Sequence, residues 1–218
     1  MTNISLGNKL WSESTWQRHL PIYHITQQVP FIQELITGTL EAKRFHFYIE
    51  QDALYLQAFT KLLQTMANRI EEPMFQSYFH TFVQENMEQE KTLHDLYLNR
   101  EISTITPSET CRTFIAFNAT LETLPIPLAL AGMLPCFLVY QQLGLYIFDQ
   151  HLRENNPYLD WIDTYAGIEH LESVTRLRTM CDYYAKTVDE KTLEQMHQWY
   201  EKGAIFDQKF WNSCYQMA

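Results

Sequence analysis

The sequence is short of turn residues. Its 218 residues include only 6 Gly and 8 Pro, where average usage would give about 26 of the two together. A many-stranded sandwich or barrel needs frequent Gly/Pro turns, so the scarcity argues against that architecture. Cysteine is also sparse. Cys111, Cys136, Cys181 and Cys214 are scattered, with no C-x-x-C pair, which argues against a disulfide framework and a structural zinc site. Basic residues are outnumbered, 16 Lys and Arg against 26 Asp and Glu, for a net charge of −10. Such a surface repels phosphate backbones, so nucleic acid is not an expected partner. No uninterrupted apolar run approaches the ~20 residues of a membrane span. The stretch Met1 to Trp16 lacks a signal peptide's charged start and apolar middle. The expectation is a cytoplasmic protein without a membrane partner.

Aromatic residues are abundant instead: 13 Phe, 13 Tyr and 5 Trp. With 46% hydrophobic and 19% charged residues, the chain has the means to build one large core. We expect a single domain over residues 1–218.

Periodicity points to helices throughout. A first is expected from Ser5 to His19, ended by Pro21, and a second from about Thr26 to Leu40, entered past Pro30. The third is the clearest. Phe45, Tyr48, Ile49, Asp52, Tyr55, Leu56, Phe59, Leu62, Leu63 and Met66 recur at steps of three and four up to about Arg69. A fourth opens at Glu71-Glu72-Pro73, with Phe75, Phe79, Phe82, Asn86, Glu90, Leu93 and Tyr97 on one face. Thr106 or Ser108 is a candidate cap for a fifth, ending near Thr123. The most apolar stretch, Leu128 to Leu152, reads as a buried helix. Asp160 to Ala185 and Asp189 to Tyr215 complete the set, with Gly167 and Gly203 as candidate breaks. The result is an all-α bundle of about seven or eight helices.

Polar groups on apolar stripes mark the candidate site. Asp52 sits mid-stripe, seven residues from both Phe45 and Phe59. It either bonds a neighbouring helix or a buried tyrosine, or lines a pocket for a nitrogen-bearing ligand. Asp207 repeats this with Phe210, Trp211 and Cys214; the plainer alternative is a position at the stripe's edge. Cys136 follows Pro135 inside an apolar helix, with Tyr140 one turn on. It is either an inert core thiol or a nucleophile aimed by the proline's distortion. Glu90 and His94, near Glu85, Asn86 and Glu88, are either a helix-supporting polar pair or part of a two-iron site. The second Glu-x-x-His copy that such a site needs is missing, and no metal is expected.

Five segments, in order, carry a family resemblance. Phe45-His46-Phe47-Tyr48-Ile49-Glu50-Gln51-Asp52-Ala53-Leu54-Tyr55-Leu56, Glu90-Lys91-Thr92-Leu93-His94 and Leu134-Pro135-Cys136-Phe137-Leu138-Val139-Tyr140 are the first three. Trp161-Ile162-Asp163-Thr164-Tyr165 and Phe206-Asp207-Gln208-Lys209-Phe210-Trp211 follow. Together the chain resembles the TenA family, the thiaminase II or aminopyrimidine aminohydrolase group.

The resemblance implies a haem-oxygenase-like all-α fold without haem or other cofactor, and a homo-oligomer, a dimer or tetramer. It also implies a role in thiamin salvage, releasing 4-amino-5-hydroxymethyl-2-methylpyrimidine from thiamin or from its aminomethyl analogue. Cys136 matches the family nucleophile. Asp52 matches the residue that bonds the pyrimidine ring nitrogen and exocyclic amine. Tyr55 matches a pocket wall, and Tyr140 and Tyr165 the tyrosines that position ring and thiol. Asp207 stands where the family has its second catalytic group, a Glu. Thr113 aligns with a family Tyr, Leu138 with a Trp, and Gln142 lies near a Glu position. Two other readings compete on the same residues: a dimetal oxidase, and a pyrimidine-binding regulatory protein without catalysis.

Overall fold

The computed structural model describes residues 9–98, 101–165 and 168–218, with side chains described for all of these except 89, 90, 93, 94, 164, 165 and 168–170. Among the described residues there are nine α-helices, one short 3-10 turn at Ile102–Thr104, and no strand. The helices are α1 (Trp11–Gln27), α2 (Pro30–Thr37), α3 (Ala42–Arg69), α4 (Pro73–Tyr97), α5 (Glu109–Leu121), α6 (Ile126–Gln150), α7 (Leu159–Tyr165), α8 (Ile168–Ala185) and α9 (Glu190–Gln216).

Three boundaries differ from the sequence expectation. The first helix, expected from Ser5, begins at Trp11, with Lys9 and Leu10 outside it. Pro21 does not end the first helix, which runs on to Gln27. Pro21 and Gln17, whose carbonyl the proline ring crowds, both lie on the solvent face, where water can take the freed carbonyl. Tyr23 and Thr26 stay on the buried face, so packing carries the helix through. The stretch expected as one helix from Thr26 to Leu40 belongs to two. Pro30 opens α2 at its first turn, and Gly38 ends it with φ 71°. A Cβ there would meet Asn156 Cα at 3.0 Å, so Gly38 answers both a left-handed backbone and a close approach. Ser108 caps α5 by accepting from the Cys111 N–H, and Asp189 caps α9 by accepting from Thr192. Gly167 lies outside the described residues.

α6 is the central helix. It is long and apolar enough to cross a membrane by length and composition, but 83% of its most apolar window is buried inside the bundle. It packs against α9 and α8, while α3 packs against α4, α5 and α9. The core joins aromatic rings from several of these helices: Tyr48 stacks on Trp211 at 5.0 Å, and Phe31 and Trp161 meet the same indole.

Gly203 breaks nothing, since α9 is continuous through it. What it permits is contact. A Cβ on Gly203 would sit 2.6 Å from the Gly132 carbonyl oxygen and 3.0 Å from Pro135 Cγ. Backbone cannot swing aside as a flexible side chain can, so the helices cross this closely only because the Cβ is missing. Gly203→Ala should destabilise the protein by about 1–3 kcal/mol, read as a lower midpoint in thermal or denaturant unfolding. An unchanged midpoint would mean that the crossing tolerates a wider spacing.

Candidate active site

The crossing of α6 and α9 places two chemical groups together. Cys136 follows Pro135 on α6, and Asp207 lies one turn after Gly203 on α9. Asp207 is 1% exposed, and neither carboxylate oxygen has a hydrogen-bond partner among the described residues. Burial pushes its carboxyl well above the ordinary carboxylate range, toward the neutral form. Its charge, when present, acts directly on Cys136 and Tyr55.

α3 supplies the opposite side. Tyr55 Oη lies 2.9 Å from Cys136 Sγ. The tyrosine ring is fixed by Phe114 of α5 at 4.5 Å and by stacking on Phe59 at 5.6 Å. The Cys136 residue is partly exposed because it borders a cavity. The surroundings of Sγ are nevertheless dense. That burial, and next the Asp207 carboxylate, push its pKa well above the ordinary thiol value, while the Tyr55 hydroxyl opposes the rise. The resting group is therefore a thiol.

Asp52, one turn before Tyr55, is 2% exposed and lines the same cavity. Burial pushes its carboxyl from 3.8 up to about 7, with a hydrogen bond from the Tyr48 hydroxyl pulling the other way. Oδ2 has no partner among the described residues. A carboxyl half-protonated near neutrality offers an O–H donor and a carbonyl acceptor side by side.

The cavity is about 70 Å³, room for several waters or a small ring. Besides Asp52 and Cys136, its walls include Phe59, Phe82, Phe137 and Tyr140. Tyr140 packs its ring 5.4 Å from Trp211. Glu85 and Asn86 of α4 and Ser173 of α8 line the same space.

The structure thus brings Asp52, Cys136 and Tyr140 onto one cavity, with Tyr55 and Asp207 beside the thiol but off the lining. Tyr55 is a partner of the sulfur rather than a wall. The Tyr165 side chain lies outside the described residues, as do those of Glu90 and His94. Thr113 is exposed and bonds the Thr110 carbonyl. The α5 ring that faces Tyr55 comes from Phe114, so the Thr113 position removes nothing from the site. Leu138 and Gln142 line a separate depression with Trp16 and Arg178. Phe82, one of the residues expected on a single face of the fourth helix, is a cavity wall. Tyr48 and Ser173 were not singled out by sequence reasoning. The i, i+4 spacing of Tyr48 and Asp52 on α3 was the available signal for the first; none pointed to Ser173. Among the described residues no group of three or more His, Cys, Asp or Glu side chains is placed to hold a metal ion.

Residues 16–217 match the family model described as TENA/THI-4/PQQC. The chain belongs to that family. An aminopyrimidine aminohydrolase of Halalkalibacterium halodurans is 25% identical over 213 residues, covering 94% of this chain and 95% of that protein. A thiamine biosynthesis multifunctional protein, ThiED, of Corynebacterium efficiens is 35% identical over 141 residues. That match covers 63% of this chain, which spans only 19% of the Corynebacterium protein. In structure, a TenA homologue from P. horikoshii superposes with a TM-score of 0.82 at 22% identity, over 96% of this chain and all of that one. Haem oxygenase-1 of Synechocystis superposes with a TM-score of 0.67 at 10% identity, over 94% and 92% of the two chains. The fold is the all-α haem-oxygenase-like bundle.

The Asp52 carboxyl makes stability depend on pH. In the unfolded chain it ionises near 4 and in the folded protein near 7. Folding therefore opposes ionisation, and this residue's share of stability falls as pH rises from about 4 to about 7. Asp52→Asn keeps an acceptor for Tyr48 and removes the effect. Its stability relative to wild type should rise by on the order of 4 kcal/mol between pH 4 and pH 8. Denaturant unfolding at both pH values measures this; an equal difference at the two would refute it.

Proposed function

We propose that this protein is a hydrolase of the aminopyrimidine aminohydrolase type, built as one helical domain, that replaces an amine on a pyrimidine's methylene carbon by hydroxyl. The observation that carries the reading is the pairing of Tyr55 Oη with Cys136 Sγ at 2.9 Å, on a cavity that the buried Asp52 also lines. Full-length similarity to the Halalkalibacterium enzyme supports the substrate class. A role in thiamin salvage, a cytoplasmic location and a dimeric or tetrameric assembly belong to the same proposal.

The chemistry follows from the groups present. Asp52, as a carboxylic acid, donates to a ring nitrogen and accepts from the adjacent exocyclic amine. Phe59, Phe137 and Tyr140 supply flat apolar surface for the ring. A proton on the ring nitrogen makes the ring electrophilic. Cys136 Sγ bonds to a ring carbon, and the proton that the thiol loses is balanced by the one that the ring gains. Tyr55 donates its O–H to the sulfur as charge develops there. The methylene C–N bond then breaks, its electron pair leaving on the amine. Water adds to the exocyclic methylene carbon, its proton passing to the released amine; the ring then expels the sulfur, which regains its proton from the ring nitrogen. Splitting one substitution into these steps is the gain of covalent catalysis. Asp207, whose charge acts on the sulfur from outside the cavity, stands with Tyr55 as a group that can give a proton there and take it back. Driven toward its neutral form by burial, it limits the negative charge set against the developing thiolate.

Purified protein should convert 4-amino-5-aminomethyl-2-methylpyrimidine to the hydroxymethyl product, followed by chromatography. Cys136→Ala should abolish turnover, and full activity in that variant would end the covalent reading. Tyr55→Phe should lower kcat/KM about 10- to 100-fold, the worth of one hydrogen bond to a charged group. Asp207→Asn should lower kcat with ligand binding retained. Tight binding by the wild-type protein without turnover would instead make it a pyrimidine-binding protein.

A further inference from the structure

The chemistry proposed above leaves one ionisable cavity residue without a task. Glu85 comes from α4, one helical turn after Phe82, and shares the cavity with Asp52 and Cys136. Its carboxylate is held in place from α8. The Ser173 hydroxyl donates to Oε2, and Arg176 Nη1 stands 3.9 Å from Oε1. Arg176 is shared, because its Nη2 pairs with Glu172 at 3.0 Å, and it does not line the cavity. Asn86 beside it is committed to structure, its amide donating to the Leu56 carbonyl and to Thr60 Oγ1. Among the described lining residues the cavity therefore holds two carboxyl side chains, Asp52 and Glu85, and no Lys, Arg or His.

This charge pattern says what the cavity accepts. Two carboxyl side chains on one small cavity, with no basic side chain among its described lining residues, favour an occupant that brings positive charge. One carboxyl matches the neutral face of an aminopyrimidine ring, which leaves the other for a cation attached to it.

We infer that Glu85 is a specificity-determining residue that binds the leaving group, and that the site selects pyrimidines whose methylene carries a cationic amine over neutral or anionic ones. This rests on the pyrimidine reading of the site. Glu85 transfers no proton. A primary alkyl amine is protonated at neutral pH, and a carboxylate beside it favours that form. The C–N bond of an ammonium breaks with the electron pair on nitrogen, releasing neutral ammonia. Glu85 thus holds the leaving group in the state that can depart. A phosphate ester at the same carbon would face this carboxylate and be repelled.

The test compares two ligands that differ only at this group, 4-amino-5-aminomethyl-2-methylpyrimidine and its 5-hydroxymethyl analogue. Both are titrated by calorimetry into the full chain with Glu85 in place and as Glu85→Gln, each in a Cys136→Ala background that prevents turnover during titration; wild type and Glu85→Gln below refer to position 85 in that background. Gln keeps an acceptor for Ser173 and removes the charge. We expect the wild-type site to prefer the aminomethyl ligand, and Glu85→Gln to shrink that preference about tenfold, between the effect of a rim charge and that of a fully buried pair. The same preference in Glu85→Gln, with both ligands bound, overturns the inference and leaves the proposed function standing. A wild-type protein that binds neither ligand overturns both. Measuring the hydroxymethyl ligand in the same variant controls for folding, since a misfolded protein loses both affinities together.

Discussion

The close crossing of α6 and α9 at Gly132 and Gly203 is the contact on which the site depends. With no Cβ on Gly203, α9 can rest against the Gly132 carbonyl and the ring of Pro135. From that contact the placement of the chemistry follows. Cys136 comes next after the proline, and Asp207 is one turn past the glycine. A bulkier residue at 203 would separate the thiol from its buried carboxyl and shift Trp211, which carries the aromatic cluster to which Tyr48 and Tyr140 belong.

The second constraint is dielectric. Three groups that carry charge in water, Asp52, Asp207 and Cys136, are packed among rings and aliphatic side chains. Burial is the largest cause of the shift in each. All three are driven toward their neutral forms, so the resting site holds little charge for its number of ionisable groups. This suits an addition whose steps exchange protons rather than stabilise a standing anion. Glu85 differs: about a third of its side chain is exposed, and Ser173 and Arg176 flank it. The cavity thus combines Asp52, driven toward its protonated form by burial, with Glu85, flanked by a hydroxyl and a guanidinium.

Much of the fold was legible in the sequence because helical periodicity is a local property. The stripe from Phe45 to Met66, the cap at Ser108 and the start of the last helix near Asp189 depend on neighbours within a few residues. Pro21 was misleading for the same reason. A proline's local cost is fixed, but whether it ends a helix depends on which face it occupies and on what the buried face gains by continuing. The expected helix from Thr26 to Leu40 failed likewise, because the break at Gly38 answers a clash with Asn156, more than a hundred residues away.

By itself, the sequence determined an all-α chain with acids and a thiol on apolar stripes, and its ordered motifs pointed to the family. Those are matters of spacing and residue type. The tertiary structure alone decided which of those groups meet. It set Tyr55 against the Cys136 sulfur, turned Thr113 to solvent and Phe114 inward, and brought Glu85 and Ser173, 88 residues apart, to the same cavity. The rotation of one helix against another depends on how side chains and missing side chains fit where they cross. No pattern along a single helix contains that.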